Sequence, residues 1–291
     1  MKARNLFLLS LSLTLAACGG SGGGGSSSDG TGGTGGTSGD GGSSAGGGST
    51  AGSTFIGMVG IEEDTFDNTI DANATFIRYA QSFDLSQLQQ AFQPTLDQCV
   101  VDIFDDDDVE IPDDFDFTDT FSGSDIELVS AGEVITLRSA SGSYLELAET
   151  TIVAGVSAYL TQSEVDGPMP AQLTLDIPGA VYPQFANVSM PVVQSLVVTS
   201  PALFAPITTY TNFTWTAGNN PDAYLEITLS DFDGTSVDCA VKDDGAFSFP
   251  AATKAKMGSD FNAFFADISR IAVKIQQQNN ALLLLMAESS E

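Results

Sequence analysis

The sequence predicts a mostly β protein, with two β-sandwich-like domains behind a disordered Gly/Ser/Thr tether and a few short helices. Three observations point there. Apolar and polar residues alternate in stretches such as ATFIRYAQSF from Ala74 and EVITLRSASGSYLELAE from Glu133, which is the period of a half-buried strand. No strand-helix-strand rhythm runs along the chain, which disfavours a parallel nucleotide-binding sheet. Residues 19–53 are almost entirely Gly, Ser and Thr, and with no apolar surface to bury they cannot recover the entropy of ordering.

In chain order, residues 1–17 read as an export signal. Lys2 and Arg4 supply a short basic region, and LFLLSLSLTLAA from Leu6 is an apolar core too short to span a bilayer. Residues 18–53 follow as a tether, whose random-coil reach is about 30 to 35 Å. At the junction, Leu15-Ala16-Ala17-Cys18 resembles the bacterial lipobox, in which small residues precede an obligatory cysteine. That resemblance implies that the Cys18 thiol carries a diacylglycerol and that Cys18 becomes an acylated, palmitate-bearing N-terminus. Lipid would then hold the protein at the membrane without a spanning segment. Gly19 follows the cysteine, and by resemblance to enterobacterial sorting rules this favours the outer membrane.

A first β-rich domain is expected over residues 54–193. Its strand candidates are ATFIRYAQSF, QCVVDIF, two strands around a Ser141-Gly142 turn, TTIVAGVSAYL and AQLTLDI. DLSQLQQAFQP places Leu85, Leu88 and Phe92 on one helical face, with Asp84 as a cap and Pro94 as a stop. The Pro-marked stretch IPGAVYPQFANVSMPVVQS, residues 177–195, marks a boundary, and SLVVTSP opens a second domain over residues 194–291.

The first 35 or so residues of that second domain resemble the opening of an immunoglobulin-like or fibronectin type III-like sandwich. A strand ends in Pro, Phe213 and Trp215 share an inward face, and a strand beginning at Tyr224 lies opposite. Beyond it, PAATKAKMG reads as a short helix closed by Gly258. DFNAFFADI puts Phe261, Phe264, Phe265 and Ile268 at helical spacing, the pattern of a helix capping the sandwich core. The last elements are a hairpin, RIAVKI and ALLLLMA around a Gln-Asn turn. Seven apolar residues, Ala281 to Ala287, are too many for a strand with one wet face, so both faces should be covered, in the sandwich core and under the Phe-rich helix or against the first domain.

Charge and composition narrow the functional classes. The chain has 38 acidic and nine basic residues and no His; removing Lys2 and Arg4 with the signal leaves seven bases, a formal −31. Nucleic acid and anionic headgroups are therefore poor partners, since binding them relies on basic residues. The absence of His, the scarcity of Lys and Arg, and the lack of a phosphate loop or nucleophile elbow argue against an enzyme. Paired carboxylates leave glycoside hydrolysis as the least excluded chemistry, thinly supported by a single Trp. No catalytic residue is assigned.

Two cysteines follow Cys18. In an exported protein, Cys99 and Cys239 are a disulfide candidate closing a loop of about 140 residues, or else two small buried apolar residues. The acidic run DIFDDDDVEIPDDFDFTD, residues 102–119, offers Asp105, Asp106, Asp107 and Asp108 as oxygen ligands for calcium, the one cofactor the sequence suggests. A solvated acidic loop is the competing reading. SDFDGTSVD and KDDGAF read as Asp-Gly hairpin turns. Together these features describe a membrane-anchored, non-catalytic interaction module displayed on the outer membrane, binding an unknown protein or glycan. The alternative is a periplasm-facing accessory of envelope machinery.

Overall fold

A computed structural model describes residues 53–80, 94–103, 126–153, 156–202, 204–232 and 234–291. The protein is mostly β, and the described residues fall in one compact unit. β1 (Thr54–Asp64) and β2 (Thr69–Tyr79) make an opening hairpin; β3 (Gln98–Ile103) follows, and β4 (Ile126–Leu128) pairs with β2. β5 (Val134–Ser139), β6 (Gly142–Val153) and β7 (Val156–Thr161) form a meander. β8 (Val165–Asp166), β9 (Thr174–Ile177) and β10 (Phe185–Ser189) complete the first half. The second half holds β11 (Val198–Ser200), β12 (Ile207–Thr208), β13 (Asn212–Trp215), the hairpin of β14 (Ala223–Asp231) and β15 (Thr235–Lys242), and β16 (Ala246–Ser248). Then come α1 (Ala251–Met257), β17 (Asn262–Gln278) and β18 (Ala281–Ser290).

One long sheet runs through both halves in the order β10-β9-β5-β6-β7-β2-β1-β18-β17-β14-β15-β3. Its first half curls back on itself, so that Ile135, Leu137, Leu147 and Leu175 pack over Val59, Ile61, Leu283 and Leu285 in one core. Its second half is covered by a separate sheet, β11-β13-β16, which buries Phe213 and Trp215 against Leu225, Ile227 and Val237 in another core. Each half is thus sandwich-like, and the change of covering layer falls near the Pro-marked stretch. The sheet itself does not break there: β18 pairs in parallel with β1 over ten residues, and β3 pairs with β15.

The terminal hairpin lies at the centre of this sheet. β18 is flanked by β1 and β17; Leu283 and Leu285 face the first core, and Leu282 and Leu284 on the opposite face are buried as well. This accounts for its unbroken apolar run. β1 shares that character, because its neighbours are β2 and β18 and its burial is nearly continuous. Gly57 in β1 is required by close approach: a Cβ there would sit 2.6 Å from the Tyr182 hydroxyl and 2.8 Å from the Phe76 ring. The Tyr182 hydroxyl donates to the Leu282 carbonyl at 3.0 Å, tying the covering layer to the central strand.

Three local expectations are corrected. DFNAFFADI is the start of the 17-residue strand β17 rather than a capping helix. Phe261 and Ile268 do reach the core, but Ala263 and Ile268 are buried while Asn262 and Asp267 are not, and β14 supplies the ladder bonds that a helix would have made internally. Sheet pairing overrides a short match to the helical period. TTIVAGVSAYL is divided between β6 and β7, which pair as antiparallel neighbours. KDDGAF is not a hairpin turn either: it carries the chain from β15 in the long sheet to β16 in the covering sheet. Elsewhere the short helix α1 ends at Gly258, whose φ of 79° suits glycine. The helical reading of 84–94 falls on residues of which 81–93 are outside the described ones.

Candidate functional site

Of the residues singled out by sequence, Cys18 and Asp105, Asp106, Asp107 and Asp108 lie outside the described residues. Cys99 and Cys239 are brought together: they stand opposite each other across β3 and β15 and are joined by a disulfide, with Cα atoms 4.0 Å apart. The bond joins neighbouring strands of one sheet, whereas the immunoglobulin disulfide crosses between sheets. It pins β3, a strand from the first half, to the edge of the second.

The densest polar structure lies where the two cores meet, and no local pattern in the sequence points to it. Arg270, on β17, is fully buried, and its Nε and Nη2 donate to the Asp243 carboxylate at 2.8 and 3.0 Å. The same carboxylate accepts from Trp215 Nε1 at 2.8 Å and from the Gly218 amide at 3.1 Å. A Cβ on Gly218 would lie 2.3 Å from Asp243 Oδ2, so only glycine fits beside the carboxylate. Arg270 Nη1 also donates to the Gln194 and Ser195 carbonyls, and Nη2 to the Thr216 carbonyl. Ser195 Oγ donates to Glu63 Oε1 at 2.5 Å, and the Leu196 amide donates to Ser289 Oγ at 2.9 Å. The expected inter-domain linker is therefore fastened to the middle of the long sheet by Arg270, Glu63 and Ser289. The Arg270 and Asp243 charges are hydrogen-bonded to each other and to their neighbours, the pattern of a structural clamp, whereas Glu63 bonds Ser195 through Oε1 and keeps its Oε2 buried without a hydrogen-bond partner among the described residues.

Two surfaces face outward. The first follows from strand direction. The described chain enters at Ser53, whose carbonyl accepts from Asn280 Nδ2 in the β17–β18 turn, so β1 and β18 both start at this end. β17 runs away from the other end, where its first residues extend past the last β18 pairing and are met by β12. That distal end carries Phe66 in the β1–β2 turn, Ile103 at the end of β3, Tyr210 after β12 and Phe232 in the β14–β15 turn. All four are more than 60 % exposed. Lys254 of α1 places its Nζ over the Tyr210 ring, 5.6 Å from the centroid.

The second surface is the face of the long sheet turned away from the covering layers. Strand registry puts Tyr224, Glu226, Thr228, Asp238, Asp267 and Asp102 on it, beside the Lys242–Asp97 ion pair. Burial, and then the charges of Asp238 and Asp267, hold the Glu226 carboxyl above its ordinary range. Burial likewise raises the Tyr224 phenol, aided by Glu226 and Glu288. The Thr228 hydroxyl donates to Asp238 at 2.7 Å. Among the described residues no ion pair reaches Glu226, Asp238, Asp267 or Asp102. None of their groupings is arranged to hold a metal ion, and no helix among the described residues is long and apolar enough to cross a membrane.

No family model matches this chain, and neither a curated protein nor a solved structure does. The functional reading rests on the chain's own residues.

Proposed function

We propose that the protein is a lipid-anchored envelope lipoprotein whose β body is a non-catalytic binding module, displayed at the surface of the outer membrane. The carrying observation is the polarity of the body. The chain enters at one end of the long sheet, and the exposed Phe66, Tyr210 and Phe232 stand at the other, along a strand of 17 residues that spans about 50 Å. Large exposed aromatic side chains cost hydration without contributing to the core, and they are the residues enriched where proteins meet partners. The disulfide and the Arg270 clamp make the body rigid, which lowers the ordering entropy that binding must offset. The lipobox at Leu15-Ala16-Ala17-Cys18 supports the anchor, and the Gly/Ser/Thr stretch supports a leash long enough to lift the body off the membrane. The second half is read as a variant immunoglobulin-like or fibronectin III-like sandwich, on the strength of Phe213 and Trp215 lying in its core opposite β14. The ligand class is a protein or glycan met at the distal end.

Two experiments test this reading. Lipid labelling of the wild type and of Cys18→Ser should differ completely, with the variant released into soluble fractions. Retention of the variant at the membrane after a high-salt wash refutes the single anchor. Protease added to intact cells should digest the body without lysis, and full protection would assign it instead to the periplasm-facing alternative.

A further inference from the structure

We propose that the outer edge of β3 is a docking site for an extended cationic strand, a segment of alternating basic and apolar residues that adds itself to the long sheet. The inference concerns the edge of the sheet, which meets the distal end only at Ile103, and holds whichever side of the membrane the body faces. β3 is the last strand of the sheet, and among the described residues nothing pairs with its free side. In antiparallel ladders, opposed Cα atoms lie about 4.5 Å apart at non-hydrogen-bonded pairs and about 5.5 Å apart at hydrogen-bonded ones. The 4.0 Å spacing of Cys99 and Cys239 places them in the first class. The amides and carbonyls of Cys99, Val101 and Ile103 therefore point away from β15, towards the free side.

Natural edges are usually blunted by Lys, Pro, a bulge or shortness. β3 has none of the first three: six residues, QCVVDI, pair without a register shift, and Val100 and Ile103 are about 60 % exposed. The disulfide holds the strand in place, so the template does not fray. An incoming strand gains main-chain hydrogen bonds from this edge and sequence preference from the side chains on either face.

Those faces differ in chemistry, and this selects the occupant. On the outward face stand Asp102 on β3, Asp238 on β15, Glu226 on β14 and Asp267 on β17; beside them Lys242 is paired with Asp97. Strands lie about 4.8 Å apart, so Lys or Arg on the outward face of an added strand would meet Asp102 directly and reach towards Asp238 one strand further in, while Glu226 and Asp267 lie farther off and add only to the negative field. On the inner face are Val101, packed on the second core, and the exposed Ile103, on a strand that α1 approaches; apolar residues of the added strand would meet these. A second copy of this chain is a poor occupant, since it would set one acidic edge against another in a protein of formal charge −29.

The test uses the full chain in detergent and three synthetic heptapeptides. One alternates Lys and Val, one alternates Glu and Val, and one is the Lys peptide with N-methyl groups on alternate residues, which removes donors but keeps charge. The proposal expects the Lys peptide to bind, to weaken as salt rises, and to slow exchange of the Cys99, Val101 and Ile103 amides, which exchange freely without it. The Glu and N-methyl peptides should bind at least about tenfold more weakly. Val101→Pro, which deletes an outward donor without removing a β15–β3 bond, should also weaken the Lys peptide about tenfold. Asp102→Asn with Asp238→Asn does so independently, should the proline variant fail to fold. Equal binding of the Lys peptide and its N-methyl form would reduce the effect to charge attraction and overturn strand addition. Protection of those three amides in the free protein would do the same, since the edge would already be occupied.

Discussion

Asp243→Ala is the substitution with the largest expected consequence. The carboxylate it removes accepts two hydrogen bonds from Arg270, one from Trp215 Nε1 and one from the Gly218 amide, and the Arg270 side chain is only 1 % exposed. Removing one partner of a buried ion pair costs about 3–5 kcal/mol, because the other charge is left without compensation in a poor solvent. The stranded Trp215 and Gly218 donors place this case at the upper end of that range. For a body of this size each kcal/mol lowers the melting temperature by roughly 2–4 °C, so a drop of about 6–20 °C is expected. Urea unfolding of the chain released from its anchor, followed by Trp215 fluorescence, reads the change directly. A loss below about 1 kcal/mol would refute the clamp. A second measure is coupling: Arg270→Met combined with Asp243→Ala should destabilise by at least about 2 kcal/mol less than the two singles added together, and simple additivity would show that the pair is not a unit.

Three further outcomes are expected. Cys99→Ala opens a loop set by a sequence separation of 140 and should lower stability by about 5 kcal/mol in the chain-entropy model, read by denaturation with and without reductant; equal stability of the two forms contradicts it. Glu226→Gln should stabilise the protein at neutral pH and make no difference at about pH 4. The folded-state carboxyl is raised, so its ionisation penalty is full above the raised value and vanishes below the ordinary 4.5, and a pH-independent effect would argue against that cause. Calcium and magnesium should shift the melting temperature alike if residues 105–108 are a solvated acidic loop. A calcium-selective gain near 3 kcal/mol at about a hundredfold above Kd, lost when Asp105 to Asp108 become Asn, would make them a metal site.

Strands carrying their own signal were legible in the sequence. The alternation of EVITLRSASGSYLELAE gives β5 and β6, and the seven-residue apolar run gives a strand covered on both faces. β1 was not legible: FIGMVGIEED alternates nowhere, since a strand at the centre of a sheet is buried on both sides, and its glycine is there for a tyrosine far along the chain. DFNAFFADI misled for a related reason, because four apolar residues at helical spacing also satisfy a strand whose ladder partners are supplied from elsewhere. KDDGAF had the composition of a hairpin turn but links two sheets instead, and nothing local reveals that Asp243 turns inward to meet an arginine 27 residues later.

The sequence by itself determined the class of the protein, the acidic balance, the lack of His chemistry and the candidate pairing of Cys99 with Cys239, since each of these is a property of composition or of local period. Tertiary structure decided the rest. It placed the last strand beside the first, made one sheet of two apparent domains, buried Arg270 against Asp243 at their junction and set β3 at the edge of the sheet that the described residues form. Those outcomes depend on which strands become neighbours. Neighbour choice is settled by burial and ladder hydrogen bonds between residues tens to hundreds of positions apart, and no local pattern records it.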